Sequence, residues 1–374
     1  MKPRATRDLP GWADWALLPA LNLVLALLIA AAVVALVGES PLQAFRLMAR
    51  GAFGSQEGIG YTLFYTTDFL FTGLAVAVAF HAGHFNIGGE GQAYVGGLGI
   101  SLAALYLGHW PFWLFLPTAI AVGALFGAAW AAIPAWLQAK RGSHIVITTI
   151  MMNFLASALM TYLLVNVLIA PDQQSPESAP FPRGALMPSA RALLGDVGLH
   201  FTSTPLNLTF PIALVACALV WLLLWRTKWG YALRVAGASP GAASYAGISP
   251  GAATIWAMLI SGALAGCVGL NELLGSQHNL ILDFVGGAGF VGIAVALMGR
   301  NHPLGILAAA LLFGALYQGG SELSFDMPHV NRDLVVAIQG LVVLLCGALE
   351  GLLRAPLAAL FARLGDRGRA TAGD

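Results

Sequence analysis

The stretch HFNIGGEGQAYVGG, His84 to Gly97, sets an Asn, a Glu and a Gln in a glycine-rich knot between two apolar runs. Polar groups are costly in such a setting unless they are partnered, so the surroundings decide what the knot is. They are apolar almost throughout. Of 374 residues, 58% are hydrophobic and 9% are charged, where soluble domains carry about 25% charged residues. So few charges cannot cover a surface in water, which makes lipid the solvent. A transmembrane helix needs roughly 20 mostly apolar residues, and the chain supplies such runs repeatedly. Long continuous runs exclude a β-barrel, which is built from short alternating segments. The fold class is all-α, a polytopic membrane protein.

Apolar runs between breakers give about ten spans, starting near Trp15, Gly60, Gln92, Pro111, His144, Leu206, Gly251, Phe284, Pro303 and Asp333. With the N-terminus inside, 13 of the 18 basic residues fall on inner segments and 5 on outer ones. The positive-inside rule favours that orientation and places both termini in the cytoplasm. The expected organisation is a cytoplasmic tail over 1–14, a transmembrane domain over 15–355 and a second cytoplasmic tail over 356–374. Two connections stand out. Residues 170–206 form a Pro- and Ser-rich outer loop, and residues 226–250 are the only long inner connection. Cys217, Cys267 and Cys346 each sit inside an apolar run without ligand spacing and read as small buried hydrophobes. GLAVA at Gly73–Ala77 is echoed by GIAVA at Gly292–Ala296, in keeping with the internal repeats of transporters.

A backbone break at membrane depth must be buried in protein or line a water-filled cavity. Asn86, Glu90 and Gln92 at the glycine knot therefore either serve the translocation path and its gate or bind neighbouring helices together. Asp68, Asn153, Asn271 and Glu272 add polar groups inside spans and carry the same two readings. The topology puts Glu272 and Asp283 toward the outer side, and Glu90 and Asn153 toward the inner half. Gly287, Gly289 and Gly292 match G-x-G-x-x-G, but they open a span and follow no βα unit, so no dinucleotide site is read there. No Walker A, H-E-x-x-H or Cys/His cluster occurs, and no catalytic or metal site is expected. Gly123-x-x-x-Gly127 and Gly262-x-x-x-Gly266 read as close helix packing.

In the inner loop WGYALRVAGASPGAASYAGIS, Ser239 is placed to cap a helix whose first residue is Pro240, with Gly247 as its stop. A short helix outside the membrane, fringed by Arg234 and Tyr245, makes a knob for a partner protein's groove.

The motifs FNIGGEGQ, SHIVITTIMMN, WGYALRVAGASPGAASYAGIS and GFVGIAVALMGRNHPLGILAAALLFG, in this order, resemble the permease subunits of bacterial ABC importers. The resemblance runs from about Thr62 to Gly351 and is to the simple-sugar and nucleoside branch, related to ribose and branched-chain amino acid permeases. It implies a multi-pass protein of the bacterial cytoplasmic (inner) membrane, with no cofactor on this chain. The implied partners are two ABC ATPase subunits carrying ATP and Mg, a second permease chain, an extracytoplasmic solute-binding protein and membrane lipid; nucleic acid is not among them. Arg234, Ser239, Pro240, Tyr245 and Gly247 fall in the family's coupling region, where the ATPase docks. Where the family often has Glu-Asn before the proline and Arg before the tyrosine, this chain has Ala238-Ser239 and Ser244, a less charged surface. The expected function is ATP-driven import of nucleosides or related sugar-like solutes. The alternative is an ion- or proton-coupled secondary transporter using the buried carboxylates.

Overall fold

The computed structural model describes residues 10, 13, 17–170, 173–195, 198, 201–327, 334–342, 344–345, 353–354 and 356–359. Most of the expected tails, 1–14 and 356–374, lies outside the described residues, as do Cys346 and the start of the span expected near Asp333. Among the described residues the chain is helical, with two isolated β-bridges and no strand. It divides into one unit formed by residues up to Met48 and from Gly320 on, and a larger unit, Ala49–Gly319.

In the first unit α1 (Leu18–Leu36) is followed by α2 (Pro41–Phe53), whose direction changes by 118° at the break between them. Gly320 packs against Val335 and Gln339.

In the larger unit, α3 (Gln56–His81) is the central element. Ser55 caps it by accepting a hydrogen bond from the Gly58 N–H at 2.9 Å, and Glu57 complements the positive end of the helix dipole. Nearly every side chain from Phe69 to Ala79 is inaccessible. Against it pack α4 (Gly89–Leu107), α8 (Thr209–Arg226), α11 (Pro250–Gly266), α12 (Ala288–Met298) and, as far as Gly319, α13 (Pro303–Asp326), while α5 (Phe112–Arg141) packs on α4 and α11, and α6 (Ile145–Asn166) on α4 and α5. The short α7 (Ala190–Gly195) belongs to the 170–206 connection, expected as the outer loop, and α9 (Lys228–Ala238) and α10 (Pro240–Tyr245) form the 226–250 connection, expected as the inner loop. Between α11 and α12 the chain makes a π-helical segment, Leu270–Gln277. α5 ends at Gly142 in the left-handed region (φ 68°), after Lys140 and Arg141 in its last turn.

Six helices, α3, α5, α6, α8, α11 with its π extension, and α13, are long and apolar enough to cross a membrane, or seven if α1 and α2 count as one bent span. Two of the expected spans depart from that form for physical reasons. The segment expected from Gln92 is α4, 19 residues long, in which Gly89, Gly91, Gly96, Gly97 and Gly99 remove apolar side chains. The segment expected from Phe284 is α12, only 11 residues. That is a rise of about 17 Å, little more than half of a hydrocarbon core of about 30 Å.

The small residues act where their spacing implies. A Cβ on Gly127 would lie 3.0 Å from Gly266 Cα and would overlap the Gly262 carbonyl, so α5 and α11 touch backbone to backbone. The echoed pentapeptides also meet: a Cβ on Gly73 would lie 2.9 Å from Val295, and one on Gly292 would lie 2.5 Å from Thr72 Cβ. α3 and α12 thus cross at matching positions of the repeat.

Candidate functional site

The glycine knot is where two broken helices begin together. α4 starts at Gly89 and α12 at Ala288, and a Cβ on Gly289 would lie 2.5 Å from Glu90 Cα. Their positive ends face the same small volume, and Glu90 fills it. Its carboxylate accepts from the Gly287 N–H at 2.9 Å and from the Gly289 N–H at 2.8 Å. Two otherwise orphaned donors of α12 are thereby satisfied, and one negative charge answers two helix dipoles. Gly287, at φ 83°, lets the chain turn into α12.

The other side chains of the knot tie its backbone to three further helices. Asn86 donates to Gln92 Oε1 (2.9 Å) and to Ser261 Oγ on α11 (2.8 Å), while its own Oδ1 accepts from the Gly88 N–H (2.9 Å). Ser261 in turn donates to the Ala75 carbonyl of α3 at 2.6 Å. Asn153 on α6 accepts from the Gly91 N–H and donates to the Ile87 carbonyl, both at 2.9 Å. Asn86, Gln92 and Ser261 are all inaccessible. Ala75 lies six residues, about 9 Å, before the end of α3, so the knot sits within the bundle rather than at its rim. Asp283 belongs here as well. It accepts from the Tyr94 hydroxyl at 2.5 Å, one turn along α4 from Glu90. The connection from the π segment dips inward to start α12, which carries Asp283 with it.

Asp68, Asn271 and Glu272 form a separate polar column. Asn271 donates to Asp68 Oδ2 (3.0 Å) and to the Phe64 carbonyl (3.1 Å). Asn207, before α8, donates to Asn271 Oδ1 at 3.0 Å. Glu272 stands beside Asp68 in this column. The π-helical backbone is what turns Asn271 and Glu272 toward α3; such segments recur at functional sites. Beyond the column opens a cleft of about 470 Å³ bordered by Tyr61, Thr204, Pro205, Gly275, Ser276 and His278. The outer loop is pinned beside it: the Phe181 N–H donates to the His278 carbonyl and the Met187 N–H to the Leu274 carbonyl.

The inner loop folds as its capping residues indicate. Ser239 Oγ accepts from the Ala242 N–H (3.3 Å), Pro240 opens α10, and Gly247 (φ 76°) closes it. The Gly247 N–H bonds to the Ser244 carbonyl and the Ile248 N–H to the Ala243 carbonyl, a Schellman ending. Tyr245 is 98% exposed, whereas Ala243 on the opposite face is buried. Arg234 is half-buried on α9.

The sequence reading missed the seat of this loop. A Cβ on Gly237 would lie 2.7 Å from the Gly83 N and 2.8 Å from the Ala82 carbonyl carbon, so the end of α9 rests on the α3–α4 turn without side chains between. Around the contact, His81 Nε2 donates to the Asn301 carbonyl (2.9 Å), and His84 Nε2 meets Thr254 Oγ1 (2.7 Å). Trp225 packs against His81 and His302, with ring centroids 5.2 and 4.9 Å apart. Ser261, Asn207, Gly287 and Gly289 were also missed. One signal for the last two was available: Ile-Gly-Gly-Glu-Gly at 87–91 and Val-Gly-Gly-Ala-Gly at 285–289 share a pattern.

The permease component family of the branched-chain amino acid transport system matches residues 58–347. The chain belongs to this family. It is 34% identical over 328 residues to the guanosine ABC transporter permease protein NupP of Bacillus subtilis, covering 86% of this chain and 91% of that one. It is 33% identical to the nucleoside ABC transporter permease protein NupB of Lactococcus lactis (86% and 89% covered). It is 31% identical to the glucose ABC transporter permease protein TsgB13 of Haloferax volcanii (90% and 88% covered). No solved structure matches it. The permease is thus a transport subunit of the membrane, built around two helices that start inside the bundle.

Proposed function

We propose that this permease is the membrane subunit of an ATP-driven importer for nucleosides or related sugar-like solutes, working in the cytoplasmic membrane. The permeases it resembles over most of its length are named for guanosine, nucleosides and glucose, which favours this reading over an ion-coupled transporter. ATP and Mg belong to two partner ATPases, a solute-binding protein delivers the cargo, and a second permease chain completes the pathway. Residues 15–355 form the permease domain, with about ten membrane segments counted with α4 and α12, the outer loop at 170–206 and the coupling loop at 226–250. Both tails, 1–14 and 356–374, lie in the cytoplasm, in keeping with the basic inner segments.

The mechanism rests on one observation, the side-chain-free seat of Gly237 on Gly83. The ATPase groove takes α10, held by Ser239, Pro240 and Gly247 and presented through Tyr245, with Arg234 on the supporting α9. Movement of α10 passes through Gly237 into the α3–α4 turn. Three residues after Gly83, that turn enters the knot of Asn86, Glu90, Gln92 and Asn153. The knot holds α3, α4, α6, α11 and α12 in one arrangement, and shifting it repacks the broken helices that gate the path. Asp68, Asn271 and Glu272 form the polar column beside the outer cleft, where solute enters.

The test is recovery of partners from native membranes with the tagged chain. An ATPase recovered with wild type, and lost when Arg234–Ile248 is replaced by a Gly/Ser linker, supports the reading. Solute uptake by the chain alone in liposomes, with no ATPase recovered, overturns it.

A further inference from the structure

An apolar cleft of about 270 Å³ runs between α8 and α13, away from the knot, the polar column and the coupling helix. Cys217, Ala218 and Trp221 form one wall, and Pro303, Leu304 and Leu307 form the other. Cys217 Sγ donates to the Pro303 carbonyl at 3.4 Å and closes the floor. Leu304 is exposed, as are Val215, Leu219 and Leu222 along the flanking face of α8, so the cleft opens toward the same solvent as the outside of the bundle. Both walls belong to helices long and apolar enough to span, and that solvent is hydrocarbon.

One end of the cleft is polar and positive. The Arg226 guanidinium carbon stands 5.2 Å from the centre of the Trp221 ring, so a cation closes the top of an apolar slot. Arg300 precedes α13 at the same end, three residues before Pro303. No acidic residue occurs anywhere in 197–271 or 284–321, so neither α8 nor the stretch of α13 that lines the cleft contains a carboxylate. A cation beside an apolar groove at the membrane edge complements a ligand with an anionic head and an apolar chain. A second permease chain fits less well. Close helix association in lipid uses small residues at the contact, and α8 contains no glycine and exposes Val and Leu beside the cleft.

We propose that the α8–α13 cleft binds one acyl chain of an anionic phospholipid, with the lipid phosphate held by Arg226. The proposal rests on reading α8 and α13 as spans with Arg226 at the cytoplasmic edge. Trp221 is the recognition surface: its ring lines the slot and its face carries the guanidinium, so the aromatic and the cation are held as one unit. Bound there, the lipid joins α8, which leads into the coupling loop, to α13.

The test uses the full chain in nanodiscs in which either phosphatidylglycerol or phosphatidylcholine carries brominated acyl chains. The Trp221 signal is the fluorescence lost on Trp221→Phe, and bromine near the ring quenches it. Phosphatidylglycerol is expected to half-quench that signal at about one fifth of the mole fraction that phosphatidylcholine needs, the factor for one basic side chain at an anionic surface. Arg226→Gln, at an exposed position, removes the difference, and Ala218→Phe, which fills the slot, weakens quenching by both lipids. Equal quenching by the two lipids in wild type, or a preference unchanged by Arg226→Gln, overturns the proposal. So does quenching by neither lipid in the assembled transporter, which would show that a protein partner covers the cleft. No transport is read in this assay, so a failure of the importer reading leaves its outcome untouched.

Discussion

Glu90 offers the sharpest single perturbation, because its two carboxylate oxygens have two different donors, Gly287 N–H and Gly289 N–H. Glu90→Gln preserves shape and volume but keeps one acceptor oxygen and turns an NH2 group toward the other donor. A hydrogen bond to a charged group contributes about 1.5–3 kcal/mol, and a buried donor left unmatched costs about 1–3 kcal/mol. Loss of the charge at the α12 N-terminus adds about 0.3–1 kcal/mol. These overlap, so the arrangement that Glu90 holds is destabilised by about 3 kcal/mol, which shifts a two-state equilibrium on the order of 100-fold. The assay is solute uptake by the reconstituted transporter at equal protein, together with thermal unfolding. A brace predicts a maximal rate reduced at least about tenfold with KM changed less than about twofold, and a lower unfolding midpoint. Glu90→Asp, which keeps the charge but withdraws it by one methylene, falls between the two. An unaltered midpoint with a large, solute-dependent rise in KM would refute the reasoning, since that pattern belongs to a residue touching solute.

Four further outcomes follow from the same geometry. Gly237→Ala places a Cβ 2.7 Å from the Gly83 N where ordinary contact begins near 3.4 Å; a forced shift costs about 1–3 kcal/mol, and ATP-driven uptake falls while the ATPase is still recovered with the chain. Gly247→Ala puts a side chain at φ 76° and destabilises the end of α10 by about 1 kcal/mol, lowering ATPase recovery about fivefold in a titrated pull-down. Asn271→Leu costs about 2 kcal/mol or more in unfolding by stranding Asp68 and Asn207. Burial holds the His84 imidazole below its ordinary pKa. A folded-state pKa below the unfolded one means stability is retained above about pH 6.5 and lost as pH falls below it; Thr254→Val, which removes the partner of Nε2, lowers unfolding midpoints at pH 7.5.

The parts that were legible in the sequence are those set by local chemistry. Ser239, Pro240 and Gly247 specify a helix start and stop within nine residues, and α10 obeys them. The paired small residues of α5 and α11 likewise meet where their four-residue spacing puts them on one face. What could not be read were partners chosen by packing. Asn86 meets Ser261 across 175 residues, and Glu90 meets Gly287 across 197. No periodicity carries such pairings. The seven polar residues read alike as path, gate or helix brace resolve into two groups, the knot and the column, and Asp283 lies with the first. The shortness of α12 was hidden for the same reason: its apolar residues run on into the loop before it, and only the dip of that loop makes the helix 11 residues long.

The central claim is that α10 delivers the work of a partner ATPase to this permease. Tyr245 is its most exposed point, and a photo-reactive amino acid placed there in the native membrane reads its neighbour directly. The account predicts one dominant adduct, with an ATPase, whose yield changes when ATP is added, alongside uptake that requires ATP. An adduct confined to lipid, or none, with uptake that persists without ATP, would contradict it.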